Sequence, residues 1–208
     1  MNTNNYVITI GRRFGSGGRE LGKLLATELG IEYYDKELLC EAAKVAGVST
    51  EFIEKSDERL PSFLSGMMSF SPGYNPISCY AGTTPVSEEN IYYTLSNVIK
   101  MVTERSSCVI VGRSADYILR EHPRCLNIFV HAPIEACVQR IISRADMTAE
   151  QARHLAEKTN KLRANYYNFY TDKRWGDASS YDMTFDTSRL SMTDIVEMIK
   201  LHISRNFI

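Results

Sequence analysis

A glycine-rich segment near the start of the chain has the spacing of a phosphate-binding loop. Four glycines fall within the eight residues from Gly11 to Gly18, which read Gly-Arg-Arg-Phe-Gly-Ser-Gly-Gly. Backbone N–H groups of such a loop can surround phosphate oxygens at the positive end of a following helix. The candidate nucleotide-binding residues are Gly11, Arg12, Arg13, Phe14, Gly15, Ser16, Gly17, Gly18 and Arg19. An ordinary tight turn between a strand and a helix is the alternative.

The complete pattern G-x-x-x-x-G-K-[ST] is absent from this segment, because Gly18 stands where the lysine would be. Arg19 follows it, and a planar guanidinium can bind two phosphate oxygens at once. A cation in the first turn of a helix opposes the helix dipole, so an anionic ligand explains Arg19 better than exposure to solvent does. Arg19 is therefore a candidate catalytic residue, and a solvated side chain is the alternative.

A second cationic region lies between residues 140 and 174, which contains eight basic and four acidic residues. Phosphoryl transfer needs positive groups around the moving phosphate, because negative charge spreads over its oxygens. Arg140 and Arg144 are four residues apart and therefore share one face of a helix. The candidate catalytic residues here are Arg140, Arg144, Lys161 and Arg163. For each of them alone, a solvated helix face is the alternative.

An aromatic cluster follows the basic helix. Its members are Tyr166, Tyr167, Phe169, Tyr170 and Trp175. Such rings could stack on a nucleotide base, but packing of a lid helix against the sheet is the more common use. The sequence favours packing and leaves base stacking as the alternative.

The elements that position these residues follow from the hydrophobic pattern. Continuous apolar runs predict buried strands at 6–10, 31–34, 108–112, 126–131 and 181–185. Helical periodicity at 19–29, 91–103, 133–146 and 191–204 places helices between and after them. Thr148 with Gln151 forms a capping box that begins a further helix reaching about residue 170. This alternation predicts an α/β protein with a parallel, doubly wound sheet.

Length and composition limit the class of protein. The chain has 208 residues and a formal charge of -1, from 24 basic and 25 acidic side chains. A single domain over 1–208 is expected, without the positive field that holds nucleic acid or an anionic membrane. Five cysteines without a C-x-x-C pattern and the lack of a long apolar run predict a cytoplasmic protein. The four histidines have no metal-ligand spacing.

The stretch 60–87 contains no charged residue and holds four of the six prolines. A long irregular segment with apolar side chains usually packs on something. It predicts a substrate lid or a homodimer contact, with an ordinary loop as the alternative.

Several segments in this order resemble the cytidylate kinase-like family, a branch of the P-loop nucleoside monophosphate kinases. They are residues 8–21, Tyr33-Tyr-Asp-Lys-Glu-Leu38, Val111-Gly-Arg113 and residues 181–188, and the likeness spans about 5–203. The resemblance implies a three-layer P-loop NTPase fold with a five-stranded parallel sheet, a monophosphate-binding insertion near 35–90 and a helical lid near 140–175. It also implies transfer of the ATP γ-phosphoryl group to a nucleotide, with Mg²⁺. Asp35, Lys36 and Arg113 are the acceptor-binding candidates that it suggests.

The chain also departs from cytidylate kinases. Val111 and Ser114 stand where those enzymes carry aspartates around the third strand, so a carboxylate that could bind the cytosine amino group is missing. The base of the acceptor is therefore open. The metal ligands are unknown, with Ser16 and Glu20 as unassigned candidates. Two alternatives remain: a kinase for a different small molecule, and a protein that binds nucleotide without turnover.

Overall fold

The computed structural model describes residues 5–35 and 88–207. Its five strands are β1 (Val7–Arg12), β2 (Glu32–Tyr34), β3 (Cys108–Val111), β4 (Cys125–His131) and β5 (Met183–Asp186). They form one sheet in the order β2-β3-β1-β4-β5, and every neighbouring pair is parallel. The parallel five-stranded sheet expected from the sequence is confirmed.

The described helices are α1 (Gly18–Leu29), α2 (Glu88–Arg105), α3 (Ala115–Ile118), α4 (Ile134–Ile142), α5 (Ala149–Thr171) and α6 (Met192–Asn206), with a 3₁₀ turn at Ala178–Ser180. Both hydrogen bonds of the predicted capping box between Thr148 and Gln151 are present at the start of α5. Helix α4 ends earlier than predicted. The chain turns after Ser143, where the amide of Arg144 donates to the carbonyl of Ile141 at 3.1 Å.

Apolar layers lie on both faces of the sheet. Ile8 and Ile10 of β1 face α1 and α6, and share a cluster with Leu25 and Ile199. Val7 faces the other side, in a cluster with Ile99 of α2. Helices cover both faces of the sheet, which makes the fold three-layered. The strand β3, Cys108–Val111, is accordingly apolar and buried on both faces.

The central position of β1 brings several sequence-predicted residues to one edge of the sheet. Its end pairs with β3 on one side and β4 on the other, and the amide of Gly112 donates to the carbonyl of Ile10 at 3.0 Å. Arg12, Arg113 and Asp35 therefore all stand at the carboxyl ends of parallel strands, where open α/β sheets bind ligands.

Three predictions fall mainly outside the described residues: the monophosphate-binding insertion near 35–90, the acceptor contact of Lys36, and the lid or homodimer contact of 60–87. Within 5–35 and 88–207, none of the helices has the length and apolarity to cross a membrane.

Candidate active site

The loop between β1 and α1 contains two glycines in the left-handed region of backbone conformation. Gly15 has a φ of 77° and Gly17 a φ of 85°. A Cβ on Gly15 would lie 2.8 Å from the carbonyl oxygen of Cys137, so a side chain is excluded there. The buried Ser16 hydroxyl donates to the carbonyl of Arg13 at 2.8 Å. The turn is therefore compact, and it leads into the first turn of α1, whose N–H groups have no acceptor inside the helix.

Arg140 of α4 holds the carbonyl groups of this loop. Its Nη1 donates to the carbonyls of Gly15 (3.4 Å) and Ser16 (3.1 Å) and to the hydroxyl of Thr187 (2.8 Å), while its Nη2 donates to the carbonyl of Thr187 (2.6 Å). The Thr187 hydroxyl in turn donates to the carbonyl of Ser16 at 2.7 Å. The structure therefore places this candidate catalytic arginine against the loop, where it ties the loop to the chain after β5.

Helix α5 contacts the loop through two side chains. The amide of Phe14 donates to Oδ1 of Asn160 at 2.8 Å, and Nη1 of Arg163 donates to the carbonyl of Arg12 at 3.0 Å. The guanidinium of Arg163 also lies 5.6 Å from the centroid of the Phe14 ring. The basic helix predicted from the sequence is therefore docked on the glycine loop, and Arg163 reaches it.

Four arginines concentrate positive charge beside the loop; Arg12, Arg19, Arg113 and Arg163 are called the arginine cluster below. Burial first, and then the neighbouring guanidinium groups, lower the pKa of Arg12 to about 9. Burial lowers the pKa of Arg163 to about 10. Both side chains remain protonated at neutral pH, so like charges are held close together in a partly desolvated place. An anion bound among them would relieve this repulsion.

Arg19 and Asp35 form an ion pair between the start of α1 and the end of β2. Nε and Nη2 of Arg19 lie 3.0 Å and 2.7 Å from Oδ2 of Asp35. The hydroxyl of Tyr33 donates to the same oxygen at 3.3 Å. The Asp35 side chain is 7% exposed and that of Arg19 is 53% exposed, so the guanidinium still reaches solvent. The structure thus joins a predicted catalytic residue to a predicted acceptor-binding residue.

The backbone after β3 passes through three consecutive left-handed residues. Gly112, Arg113 and Ser114 have φ values of 83°, 60° and 50°. Positive φ is unfavourable for the two residues with side chains, and such strain concentrates at ligand-binding sites. Ser114 is buried, and its hydroxyl makes no hydrogen bond in the part of the chain described. Arg113 is therefore presented at the sheet edge by a turn that local preferences do not favour.

Two further predicted catalytic residues, Arg144 and Lys161, are not among the four arginines of the cluster. Arg144 forms an ion pair with Glu20 of α1, and Lys161 of α5 is exposed. Glu20 and Ser16 were the candidates for Mg²⁺; Glu20 is paired with Arg144, and the Ser16 hydroxyl bonds within the loop. Among the described residues, no three His, Cys, Asp or Glu side chains converge as metal ligands.

The aromatic side chains after the basic region pack on protein. Trp175 meets Phe129 edge to face, with 5.3 Å between ring centroids. Tyr170 stacks on Tyr92 of α2 at 4.4 Å. Phe169 is exposed at 74%. These contacts favour the packing interpretation of the cluster.

The model of the cytidylate kinase-like family matches residues 7–189. The chain belongs to this family. Among curated relatives, the cytidylate kinase of Methanosarcina barkeri is 25% identical over 202 residues, covering 94% of this chain and 95% of that protein. The family assignment supports phosphoryl transfer as the class of reaction.

Solved structures show the same fold. An uncharacterized protein from Eubacterium ventriosum superposes with a TM-score of 0.71 at 27% identity, covering 96% of this chain and 99% of that one. Shikimate kinase from Bacteroides thetaiotaomicron superposes with a TM-score of 0.55 at 13% identity, covering 96% and 98%. The chain therefore has the three-layer α/β fold of the P-loop kinases, as the sequence predicted.

Sequence reasoning missed Asn160, Thr187 and Asp116, and it named Tyr167 only as a member of the aromatic cluster. Asn160 lies three residues before Arg163 and shares its helix face, so the helical spacing could have found it. The hydroxyl of Tyr167 donates to Oδ2 of Asp116 at 2.6 Å across 51 positions of sequence, and no local signal indicates that pair.

The Tyr167–Asp116 bond joins α5 to α3. Burial is the main reason that the pKa of Asp116 is raised, and the hydrogen bond from Tyr167 opposes that shift. Tyr167→Phe removes the donor and leaves the carboxylate buried. We expect the free energy of unfolding to fall by about 2 kcal/mol.

Chemical denaturation of the wild type and the Tyr167→Phe variant measures this difference. Tyr93→Phe is the matched control, because the Tyr93 side chain is exposed at 64%. Equal unfolding midpoints for the Tyr167→Phe variant and the wild type would contradict an anchoring role.

Proposed function

We propose that this protein transfers the γ-phosphoryl group of ATP to a small acceptor, and that the acceptor is a nucleoside monophosphate. The observation that carries this proposal is the arginine cluster, which stands beside a glycine loop at the carboxyl edge of the sheet. The family assignment and the names of the curated relatives support it.

The donor phosphates would occupy the loop. Its left-handed glycines and the first turn of α1 offer N–H groups to phosphate oxygens. Arg140 and Thr187 hold the carbonyls of Gly15 and Ser16 in place before any ligand binds. A preformed loop binds its anion with little loss of conformational entropy, because the geometry is already set.

The transfer itself requires position and positive charge. An oxygen of the acceptor phosphate forms a bond to the γ-phosphorus, and the bond from the γ-phosphorus to the β,γ-bridging oxygen breaks. The electron pair of that bond stays on the released ADP, so atoms and charge balance. Mg²⁺, when bound, supplies further neutralisation of the phosphates. The arginine cluster would stabilise charge on the moving group, and docking of α5 by Asn160 and Arg163 would exclude water.

The acceptor would approach from the side of Arg113. That arginine follows β3, and Asp35 follows the neighbouring strand β2, so the two proposed acceptor-binding residues stand at the ends of adjacent parallel strands. Val111 and Ser114 provide no carboxylate for a cytosine amino group. We therefore propose a monophosphate acceptor without assigning its base.

A panel of acceptors tests this function. ATP and Mg²⁺ are incubated with the protein and each ribonucleoside monophosphate in turn, and ADP and the diphosphate product are measured. We expect ADP to form only when an accepted monophosphate is present, in equal amount to the diphosphate.

A parallel panel of small hydroxyl compounds tests the first alternative. If a hydroxyl compound gives product and no nucleoside monophosphate does, the acceptor is a hydroxyl compound and the proposed acceptor is wrong. ATP binding without ADP in either panel would select the second alternative, a protein that binds nucleotide without turnover.

A further inference from the structure

The side chain of Arg12 lies where a side chain at position 18 would begin. Gly18 stands where the phosphate-loop pattern G-x-x-x-x-G-K-[ST] has lysine. A Cβ built on Gly18 would lie 2.6 Å from Cβ and 3.1 Å from Cγ of Arg12. These distances are too short for two side chains, so the stem of Arg12 and any side chain at position 18 exclude each other. Position 18 is thus restricted to glycine while position 12 carries a side chain, and here that side chain is an arginine.

The path of Arg12 ends at the edge of the sheet. Its backbone pairs with Val130 in β4, and its carbonyl accepts a hydrogen bond from Arg163. From there the side chain passes Gly18 and reaches the turn after β3. Its Nη1 lies where a Cβ on Gly112 would stand, so a side chain at position 112 would overlap the guanidinium. Gly112 has a φ of 83°, which suits glycine for conformational reasons as well. Two glycines therefore make room for one arginine between the phosphate loop and the Arg113 turn.

Arg12 also differs from Arg19 in its partners. Arg19 is bound to Asp35. Within the described residues, Arg12 forms no ion pair with a carboxylate, and its charged neighbours include three other arginines. A half-buried guanidinium in such surroundings gains more from an added anion than one that is already neutralised by a carboxylate.

We propose that Arg12 is the catalytic cation of this kinase, binding the terminal phosphate oxygens of the nucleotide in place of the phosphate-loop lysine. The proposal rests on the phosphoryl-transfer function proposed above. A guanidinium on β1 can bind two oxygens at once, whereas a lysine ammonium acts as a point charge. The cation comes from the strand before the loop rather than from the helix after it, which explains how a loop without lysine can still hold polyphosphate.

Substitutions at positions 12 and 18 test the assignment of Arg12. Arg12→Ala is expected to weaken binding of inorganic tripolyphosphate and to lower the rate of ADP formation, each by about 100-fold. Gly18→Lys is expected to be impaired as well, because the lysine stem overlaps Arg12. The double variant Arg12→Gly/Gly18→Lys removes the Cβ of residue 12, which would lie 2.6 Å from a Cβ at position 18, and so frees the space for the lysine. It should recover at least about tenfold over Gly18→Lys and over Arg12→Ala.

The measurements separate binding, activity and folding. Titration calorimetry with tripolyphosphate gives affinity without turnover, and circular dichroism with thermal unfolding checks the fold. Arg12→Met keeps a long stem without charge, and replaces the alanine variant if that variant does not fold. Arg205→Ala, an exposed arginine in the last turn of α6, is the control and should bind and react as the wild type does.

The two proposals fail in different ways. Wild-type affinity and rate in Arg12→Ala and Arg12→Met, or a double variant no better than Gly18→Lys, would overturn the assignment and leave the kinase function standing. A wild type that makes no ADP with any acceptor, yet binds tripolyphosphate through Arg12, would overturn the kinase function. In that case Arg12 remains the polyphosphate ligand.

Discussion

Arg163→Ala is expected to lower the kcat of ADP formation by about 1000-fold, in the range of arginines that stabilise charge in phosphoryl transfer. Arg163 is half-buried beside the loop, where it donates to the carbonyl of Arg12 at 3.0 Å and covers the ring of Phe14. In the proposed reaction, the arginine cluster to which it belongs would stabilise charge on the transferred group. Loss of this side chain removes both a positive charge and a contact that closes α5 on the loop.

A control on the same helix separates this effect from general loss of charge. Arg153 also lies on α5, but it forms an exposed ion pair with Glu135 at 3.1 Å. Arg153→Ala should keep the wild-type kcat, because exposed ion pairs contribute little. Arg163→Lys should be intermediate, since an ammonium keeps the charge without the planar fork. An Arg163→Ala variant that folds and keeps most of the wild-type kcat would show that the cluster does not act on the reacting phosphate.

Arg140→Ala is expected to destabilise the protein by about 3 kcal/mol and to weaken ATP binding by about tenfold. Its guanidinium makes four hydrogen bonds, which join α4, the glycine loop and Thr187. Removal of the donor leaves carbonyls of Gly15, Ser16 and Thr187 without these bonds in a partly buried place. The loop then has to be ordered when the nucleotide binds, which weakens affinity.

Urea denaturation and calorimetric titration with ATP measure the two effects. Arg144→Ala is the comparison for stability, because its ion pair with Glu20 is largely exposed and should contribute less than about 1 kcal/mol. Equal loss of stability in both variants would mean that Arg140 contributes only charge. If the Arg140→Ala variant is as stable as the wild type but binds ATP weakly, the contacts of Arg140 with the loop support ATP binding and not stability.

Arg140 and Arg163, two of the arginines predicted as catalytic in the basic region, therefore have different expected roles. Arg140 lies against the loop carbonyls and its loss should be visible in stability, whereas Arg163 belongs to the cluster and its loss should be visible in kcat. The sequence grouped them because both fall in one basic region, and charge density does not distinguish a cation that holds the protein backbone from one that faces a ligand.

Local sequence signals were sufficient for most of the fold. The run of β-branched residues before Gly11, the glycines of the loop and the Thr148–Gln151 capping box each predict structure from neighbours a few positions apart. The structure has β1, the turn and α5 where these signals indicate. Helix α4 was predicted too long, because its helical periodicity continues into residues that form the turn before Thr148.

The arrangement of the site could not be predicted from spacing along the chain. Arg12 and Gly112 are a hundred positions apart, and the bond between Arg140 and Thr187 spans 47 positions. Such contacts follow from the order of strands in the sheet and the docking of α5, which no spacing within the chain encodes. The glycine pattern was therefore enough to predict a phosphate loop without lysine. Only the tertiary structure shows that a side chain at position 12 leaves no room for one at position 18, because the two Cβ atoms would be too close.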